Sequence, residues 1–342
     1  MTKVAPIDQR KSDHIKINLE QDVSSALTSG LEKYRFTHEA LPDLDLNKID
    51  TSLPLFSKKL NAPILVSSMT GGTSAAETIN LRLAEAAQEC GIAMGVGSQR
   101  AALEHLEQAK TYQVRRLAKD ILLFANLGAV QLNYGYGIDE CRKAIDMIQA
   151  DALILHLNPL QEALQDAGNT NFAGLAGKIE VICRKVDVPV IIKEVGWGIS
   201  TQTSRLLADC GVSAIDVAGA GGTSWSQVEM HRASNEFNRQ LASTFVGWGL
   251  TTTESILNVK EGAPKMLIFA SGGIKSGIDI AKSIVLGATL GGMAGQFLKA
   301  ASISAENVIE MVKLTKRQIE VTMFAAGVGT LEDFKSVKML EQ

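Results

Sequence analysis

The sequence predicts an α/β chain folded as a (β/α)8 barrel, a TIM barrel with an N-terminal extension and a C-terminal helical tail. Three observations point there. From Pro63 onward a short apolar run ends in polar or glycine residues, a stretch of helical period follows, and the helix often stops at glycine. That unit recurs eight times, at Ile64–Val66, Ile92–Val96, Ile121–Phe124, Ala152–Leu155, Val190–Ile192, Ala214–Val217, Met266–Phe269 and Leu290–Met293. None of the runs alternates cleanly between apolar and polar, which suggests burial on both faces. Eight such units in roughly 250 residues match a barrel better than a doubly wound sheet.

The elements follow in order. Residues 1–60 carry no repeat and are read as an extension; they hold the polar cluster Arg10-Lys11-Ser12-Asp13-His14 and a helix-like stretch from Val23 to Tyr34. Residues 61–323 are the barrel. Its helices show core spacing, as in Ile79, Leu83 and Ala87, or Leu175, Ile179, Ile182 and Val186. Gly91, Gly211 and Gly287 each sit just past a helix end. The one long connection follows the sixth run, from Gly219 to Gly249, and connections of that length are usually functional or mobile. After Lys299 the chain looks helical to about Met323, and 324–342 is read as a tail.

Composition narrows the function. A chain of 342 residues with 46% hydrophobic residues can bury a large core. A net charge of -3 implies no general attraction to nucleic acid or anionic membranes. The polar N-terminus has no signal-peptide core, and the most apolar stretch, Ser283 to Leu298, is interrupted by glycines and Gln296. Cys90, Cys141, Cys183 and Cys210 form no CxxC pair and read as reduced packing residues of a cytoplasmic protein.

Barrel enzymes place their chemistry just after the strands. The fourth run ends on His156-Leu157-Asn158-Pro159-Leu160-Gln161-Glu162, which offers an imidazole, two amides and a carboxylate. A plain helix start, with Asn158 as cap, Pro159 in the first turn and Gln161 closing a capping box, explains three of these residues but not His156 or Glu162. The fifth run ends on Lys193-Glu194. Lys193 is open to three roles: a Schiff-base nucleophile, a base lowered by burial, or a cation beside an anionic cofactor ring, with a structural pairing to Glu194 as the plain alternative. Ser98, Gln99 and Arg100 after the second run could grip a phosphate. The turns Gly219-Ala220-Gly221-Gly222-Thr223 and Ser271-Gly272-Gly273-Ile274-Lys275, with Ala294-Gly295, suggest a second phosphate site. Glu162 could ligate Mg²⁺ together with substrate phosphates. Glu229, in the long sixth connection, is a candidate catalytic carboxylate, though most such glutamates are solvated.

Together these motifs resemble the type 2 isopentenyl-diphosphate isomerases, the flavin-dependent class. The marks are Arg10-Lys11 with His14, Ser68-Met69-Thr70-Gly71-Gly72, Gly97-Ser98-Gln99-Arg100, Asn158 to Glu162, Lys193-Glu194-Val195-Gly196, Gly221-Gly222-Thr223 and Ser271-Gly272-Gly273. The resemblance runs from Arg10 to about Ala300. It implies a barrel binding FMN, active in its reduced form with NADPH as reductant, that interconverts isopentenyl and dimethylallyl diphosphate in the presence of Mg²⁺ as a tetramer or octamer. It assigns Ser68, Met69, Thr70, Ser98, Asn126, Lys193, Ala218, Thr223, Gly272, Gly273, Lys275, Ala294 and Gly295 to the flavin. Arg10, Lys11, Ser98, Gln99, Arg100, Asn158 and Gln161 go to the substrate and Glu162 to the metal, with Gln161, His156, Lys193 and Glu229 as catalytic candidates. Two positions depart from the family pattern: Lys275 stands where arginine is more usual and Ser224 where asparagine often is, both near the expected FMN phosphate. Three rivals remain on the residues alone: a flavin oxidoreductase of the same fold, a Lys193 Schiff-base aldolase, and a non-catalytic phosphate-binding barrel.

Overall fold

The computed structural model describes residues 7–341, and side chains from residue 10 onward. Eight parallel strands form a closed barrel: β1 Ile64–Val66, β2 Ala93–Gly95, β3 Leu123–Gly128, β4 Ala152–His156, β5 Val190–Lys193, β6 Ala214–Asp216, β7 Leu267–Ala270 and β8 Leu290–Met293. Each strand pairs with its successor and β8 with β1, so closure leaves no free edge. Each of the eight expected runs holds one barrel strand, with ends shifted by up to two residues at the start of the third. The third extends further than its apolar run, through Asn126 to Gly128, because five consecutive residues pair with β4.

Two apolar layers hold the barrel. Inside it, Leu65, Ala93, Phe124, Ile154, Ile191, Ala214, Phe269 and Leu290 pack on one another, and the Phe124 and Phe269 rings stack at 6.2 Å. A hairpin, Leu53–Leu55 with Lys58–Leu60, plugs the amino end with Leu55, Leu60 and Phe56. Outside, the helices lay their apolar stripes on the opposite strand faces, with Leu83, Ile179, Ile256 and Ile280 buried. Helix limits follow local chemistry. Ser74–Cys90 starts where the Thr73 hydroxyl accepts from the Ala76 amide at 3.1 Å, and stops at Gly91 in the left-handed region, φ 65°.

The extension is built differently from its periodicity. The stretch from Val23 to Tyr34, expected as a helix, is irregular apart from one short 3-10 turn at Leu31–Lys33. Its backbone bonds go to the sixth connection instead: Ser25 N–H to Gly222 O at 2.9 Å, Ala26 N–H to Val246 O at 3.0 Å, and Ser224 N–H back to Val23 O at 2.8 Å. Tertiary partners outcompete a weak helical period. The helix lies upstream at Ile7–Glu20 and carries Arg10, Lys11 and His14 across the barrel mouth. The sixth connection holds two helices, Trp225–Arg232 and Glu236–Ser243. At the other end, helices Gly295–Ile303 and Ala305–Ala325 are followed by strand Met339–Glu341, which pairs antiparallel with Tyr34–Phe36 and ties the extension to the tail. No helix among the described residues is long and apolar enough to cross a membrane.

The inner layer sets the stability. Phe124→Ala should cost about 3–5 kcal/mol, because the residue is fully buried on all sides. Leu106→Ala, at a residue 77% exposed, should stay within about 0.5 kcal/mol. Urea unfolding of the two variants measures the difference; equal losses would contradict the inner-layer account.

Candidate active site

A cavity of about 540 Å³ opens at the carboxyl ends of the strands, under helix Ile7–Glu20. The size suits a cofactor with a small substrate. Strand register builds its wall. Gly128, His156, Lys193 and Asp216 are successive partners across β3, β4, β5 and β6, so they form one row at the rim.

The turn after β4 projects three polar side chains inward. Pro159 occupies the first helical turn, as a helix start requires, but Asn158 does not cap. Its amide donates to Glu162 Oε1 at 2.9 Å and Gln161 Oε1 at 3.2 Å, and its own Oδ1 is buried with no hydrogen-bond partner among the described residues. Glu162 Oε2 accepts from the Asn169 amide at 2.6 Å and from the Gln165 side chain. Gln161 closes no capping box; its Nε2 donates to Glu229 Oε1 at 3.1 Å. Glu229 is buried between Arg232 NH1 at 2.7 Å and His14 Nε2 at 3.4 Å. Burial pushes its carboxyl up, but His14, Arg232 and Gln161 outweigh this and leave it below the usual range. Burial likewise holds His14 down, towards the neutral form, against the pull of Glu229. Arg232, the nearer partner and always charged, is therefore the cation that keeps Glu229 ionised.

Cations gather opposite. Arg10 NH1 donates to Gln165 Oε1 at 3.3 Å; burial lowers its pKa, with Glu162 opposing and Arg100 adding to the effect. Lys11 donates to the Ser98 carbonyl at 2.8 Å and to the Tyr112 hydroxyl. Arg100 pairs with Glu104 at 2.7 Å and donates to Asn169 Oδ1 at 3.1 Å. Burial, then Lys193 and Arg10, push the His156 imidazole down to about 3, so it is neutral near pH 7 and shares a 2.8 Å hydrogen bond between Nδ1 and Asn126 Oδ1.

On the far side, Lys193 Nζ donates to the Glu194 backbone carbonyl at 2.6 Å. The plain alternative for Lys193, a side-chain pairing with Glu194, is not made. Glu194 Oε2 instead accepts from the Val195, Gly196 and Trp197 amides at 2.7, 2.7 and 2.6 Å. The glycine turns meet backbone to backbone: a Cβ on Gly272 would lie 2.0 Å from Gly219 O, and one on Gly222 would lie 2.7 Å from Gly273 N. Only glycine permits that approach. Helix Gly295–Ile303 begins beside them with no side-chain cap on its free N–H groups, and a Cβ at Gly295 would meet nothing within 4 Å. Ala218, at the cavity wall, has φ 36°, a strained value of the kind that clusters at functional sites.

The structure brings together nearly every residue singled out from the sequence. Ser68, Met69, Thr70, Ser98, Arg100, Asn126, His156, Asn158, Gln161, Glu162, Lys193, Ala218, Thr223, Gly272, Gly273, Lys275, Ala294 and Gly295 line the cavity with Arg10 and Lys11. Two do not. Gln99 is fully buried in the barrel wall, where Nε2 donates to Ala144 O at 2.8 Å and Oε1 accepts from Asn126 N at 2.9 Å. Gln99 is the turn residue just before helix Arg100–Glu104, and these two bonds hold its amide in the wall, so only its neighbours Ser98 and Arg100 reach the cavity. Glu229 stands behind Gln161 rather than in the cavity wall. Sequence reasoning missed Gln165, Asn169 and Tyr112. Gln165 was legible, since it lies one helical turn beyond Gln161 and Glu162. Tyr112 was not: it ends a 3-10 segment without periodicity.

Burial raises the Glu194 carboxyl to about 7, against three amide hydrogen bonds and Lys193. A carboxyl raised on folding contributes stability that is complete below about pH 4.5 and lost as pH climbs through about 7. Glu194→Gln keeps an acceptor for the three amides and removes the titration. Melting temperatures across that window should fall less in Glu194→Gln than in the parent chain; parallel curves would contradict the assignment.

The chain matches the family described as FMN-dependent dehydrogenase over residues 11–122 and 154–341. It is 51% identical over 339 residues to an isopentenyl-diphosphate delta-isomerase of Nostoc sp., covering 99% of this chain and 97% of the relative. It is 52% identical over 334 residues to the enzyme of that name from Synechocystis sp., covering 97% and 96%. Among solved structures, a mandelate oxidase superposes with TM-score 0.67 at 17% identity over 98% of this chain and 99% of the other, a likeness of fold alone. The chain belongs to the FMN-dependent dehydrogenase family and, within it, to the isopentenyl-diphosphate delta-isomerases.

Proposed function

We propose that the chain is an isomerase that interconverts isopentenyl and dimethylallyl diphosphate, adding a proton at one carbon and removing one from another with no net electron transfer. The carrying observation is the pairing of two anion sites in one cavity. Arg10, Lys11 and Arg100 face the β4 turn on one side, and the glycine turns with Lys193 lie on the other.

The residues fit FMN. The glycine contacts leave backbone exposed where a phosphate would sit, the start of helix Gly295–Ile303 supplies free N–H groups, and Lys193 gives a cation beside the ring. Reduced FMN would supply an electron-rich ring and an exchangeable proton, with NADPH as the reductant we assign to it. The residues also fit Mg²⁺. Among the described residues no cluster of three His, Cys, Asp or Glu could hold a metal alone, but Glu162 and the unpartnered Asn158 Oδ1 are hard oxygen ligands that substrate phosphates would complete.

The chain's own residues do the rest. Arg10, Lys11 and Arg100 hold the diphosphate by charge, while neutral His156, its one N–H donated to Asn126 Oδ1, adds no further positive charge beside them. Gln161, fixed by Glu229, positions the alkene; a neutral amide cannot be the primary acid. Helix Ile7–Glu20 covers the mouth and excludes water. In this reading, residues 1–60 extend the barrel of 61–323 and bring Arg10 and Lys11 to the substrate, while 324–342 are a tail. Four free cysteines suit a reducing compartment, so we place the chain in the cytoplasm, as a homo-oligomer of four or eight copies by family resemblance.

Run in D₂O with FMN, dithionite and Mg²⁺, the chain should convert isopentenyl diphosphate to a product carrying solvent deuterium. Product without deuterium, or none at all, would defeat the reading. Glu162→Gln should lower kcat/KM roughly 100-fold, the equivalent of about 2.7 kcal/mol, and flatten the Mg²⁺ titration while FMN binding persists. An unchanged titration would leave Glu162 a helix-start carboxylate only.

A further inference from the structure

Gly71 and Gly72, in the loop after β1, and Tyr112 beside them take no part in the chemistry so far. Tyr112 closes the 3-10 segment Leu106–Tyr112, and that segment is stitched to the loop. Gly72 N–H donates to Thr111 Oγ1 at 2.8 Å, and the Asn80 side chain donates to the Thr70 and Thr111 carbonyls at 3.2 and 2.9 Å. The two glycines make a slot between them. A Cβ on Gly71 would lie 1.9 Å from Tyr112 Cε1, so only glycine leaves room for the ring. A Cβ on Gly72 would lie 2.9 Å from Lys11 Nζ and 3.0 Å from its Cδ. Gly71 therefore seats the fully buried Tyr112 ring, and Gly72 gives passage to the Lys11 side chain from helix Ile7–Glu20.

The slot ends in two acceptors. The Tyr112 hydroxyl donates to the Ser98 carbonyl at 2.7 Å, which turns its lone pairs towards Lys11. Lys11 Nζ donates to that hydroxyl and, at 2.8 Å, to the same carbonyl, and it stands 5.1 Å from the centre of the ring. Both acceptors are neutral, so they fix the ammonium without cancelling its charge. Arg100, by contrast, is held by the Glu104 carboxylate. A lysine is a point charge on a flexible stem, and ordering that stem before an anion arrives removes the ordering cost from binding.

We propose that Tyr112 is a positioning residue for diphosphate binding. With Gly71, Gly72 and the Ser98 carbonyl it forms a dock that holds the Lys11 ammonium at the cavity wall and latches the helix that covers the mouth. The proposal rests on the reading of Lys11 as a diphosphate ligand.

The test titrates inorganic diphosphate with Mg²⁺ into the FMN-loaded chain by calorimetry, which reads binding without turnover. Tyr112→Phe keeps the ring in its slot and removes only the hydroxyl. The dissociation constant should rise about tenfold, the scale of one hydrogen bond to a charged group. In a Lys11→Ala chain the same substitution should change it by less than about twofold, because the hydroxyl then has nothing to hold. A merely structural role for Tyr112 would weaken binding equally in both backgrounds and overturn the proposal, as would unchanged affinity in Tyr112→Phe. KM for isopentenyl diphosphate should rise in step while kcat stays within about twofold, since the dock acts on binding; a fall confined to kcat would overturn it too. A parent chain that binds diphosphate but converts no isopentenyl diphosphate would remove the isomerase reading and leave the dock; one that binds no diphosphate would remove both. If Tyr112→Phe does not fold, Gly72→Ala, which narrows the passage of Lys11, must give a loss that likewise vanishes in Lys11→Ala.

Discussion

Closure of the eight-stranded barrel is the constraint on which the site depends. With no free edge, register between neighbours is fixed all round, and a one-residue slip would turn every inward side chain outward. The pairing of Gly128, His156, Lys193 and Asp216 across four strands therefore places an imidazole, an ammonium and a carboxylate side by side without any direct bond between their side chains being required. Phe124 and Phe269 below them fill the space that register leaves, so core packing and site geometry share one cause.

Around that row, groups that would be costly to bury alone are held by partners chosen for charge. Glu229 is ionised because Arg232 lies 2.7 Å away, and it then fixes the Gln161 amide. Glu162 is held by Asn158, Gln165 and the Asn169 amide. Glu194 shapes a turn with three amides, and that turn aims its carbonyl at Lys193. His156 stays neutral, so the cationic side owes its charge to Arg10, Lys11 and Arg100. Most of these partners lie in the same strand-end loop as the group they hold; the Gln161–Glu229 bond joins two loops, and the helix carrying Arg10 and Lys11 completes the enclosure.

Strand positions were readable because buried parallel strands leave apolar runs ending in polar residues. The glycine turns were readable because only glycine allows such close backbone contact. What the sequence hid has definite causes. Gln99 sits amid a cavity-facing motif yet points away, because its amide is held by the Ala144 carbonyl and the Asn126 N–H in the barrel wall. The segment Val23 to Tyr34 has helical spacing but is drawn out by backbone bonds to Gly222 and Val246, partners roughly two hundred residues away. Tyr112, which receives Lys11, lies in a segment without period. The helix at Ile7–Glu20 has a weak apolar face because Arg10, Lys11, His14 and Asn18 share the barrel mouth with Ile15.

The central claim is that a fold shared with flavin oxidoreductases here moves protons and not, in net terms, electrons. Stoichiometry tests it most directly. Without oxygen, NADPH oxidised should be counted against dimethylallyl diphosphate formed as turnovers accumulate. The account predicts a ratio that falls towards zero, because one reduction of the flavin serves many turnovers. A ratio that stays near one would make the chain an ordinary oxidoreductase and contradict the account.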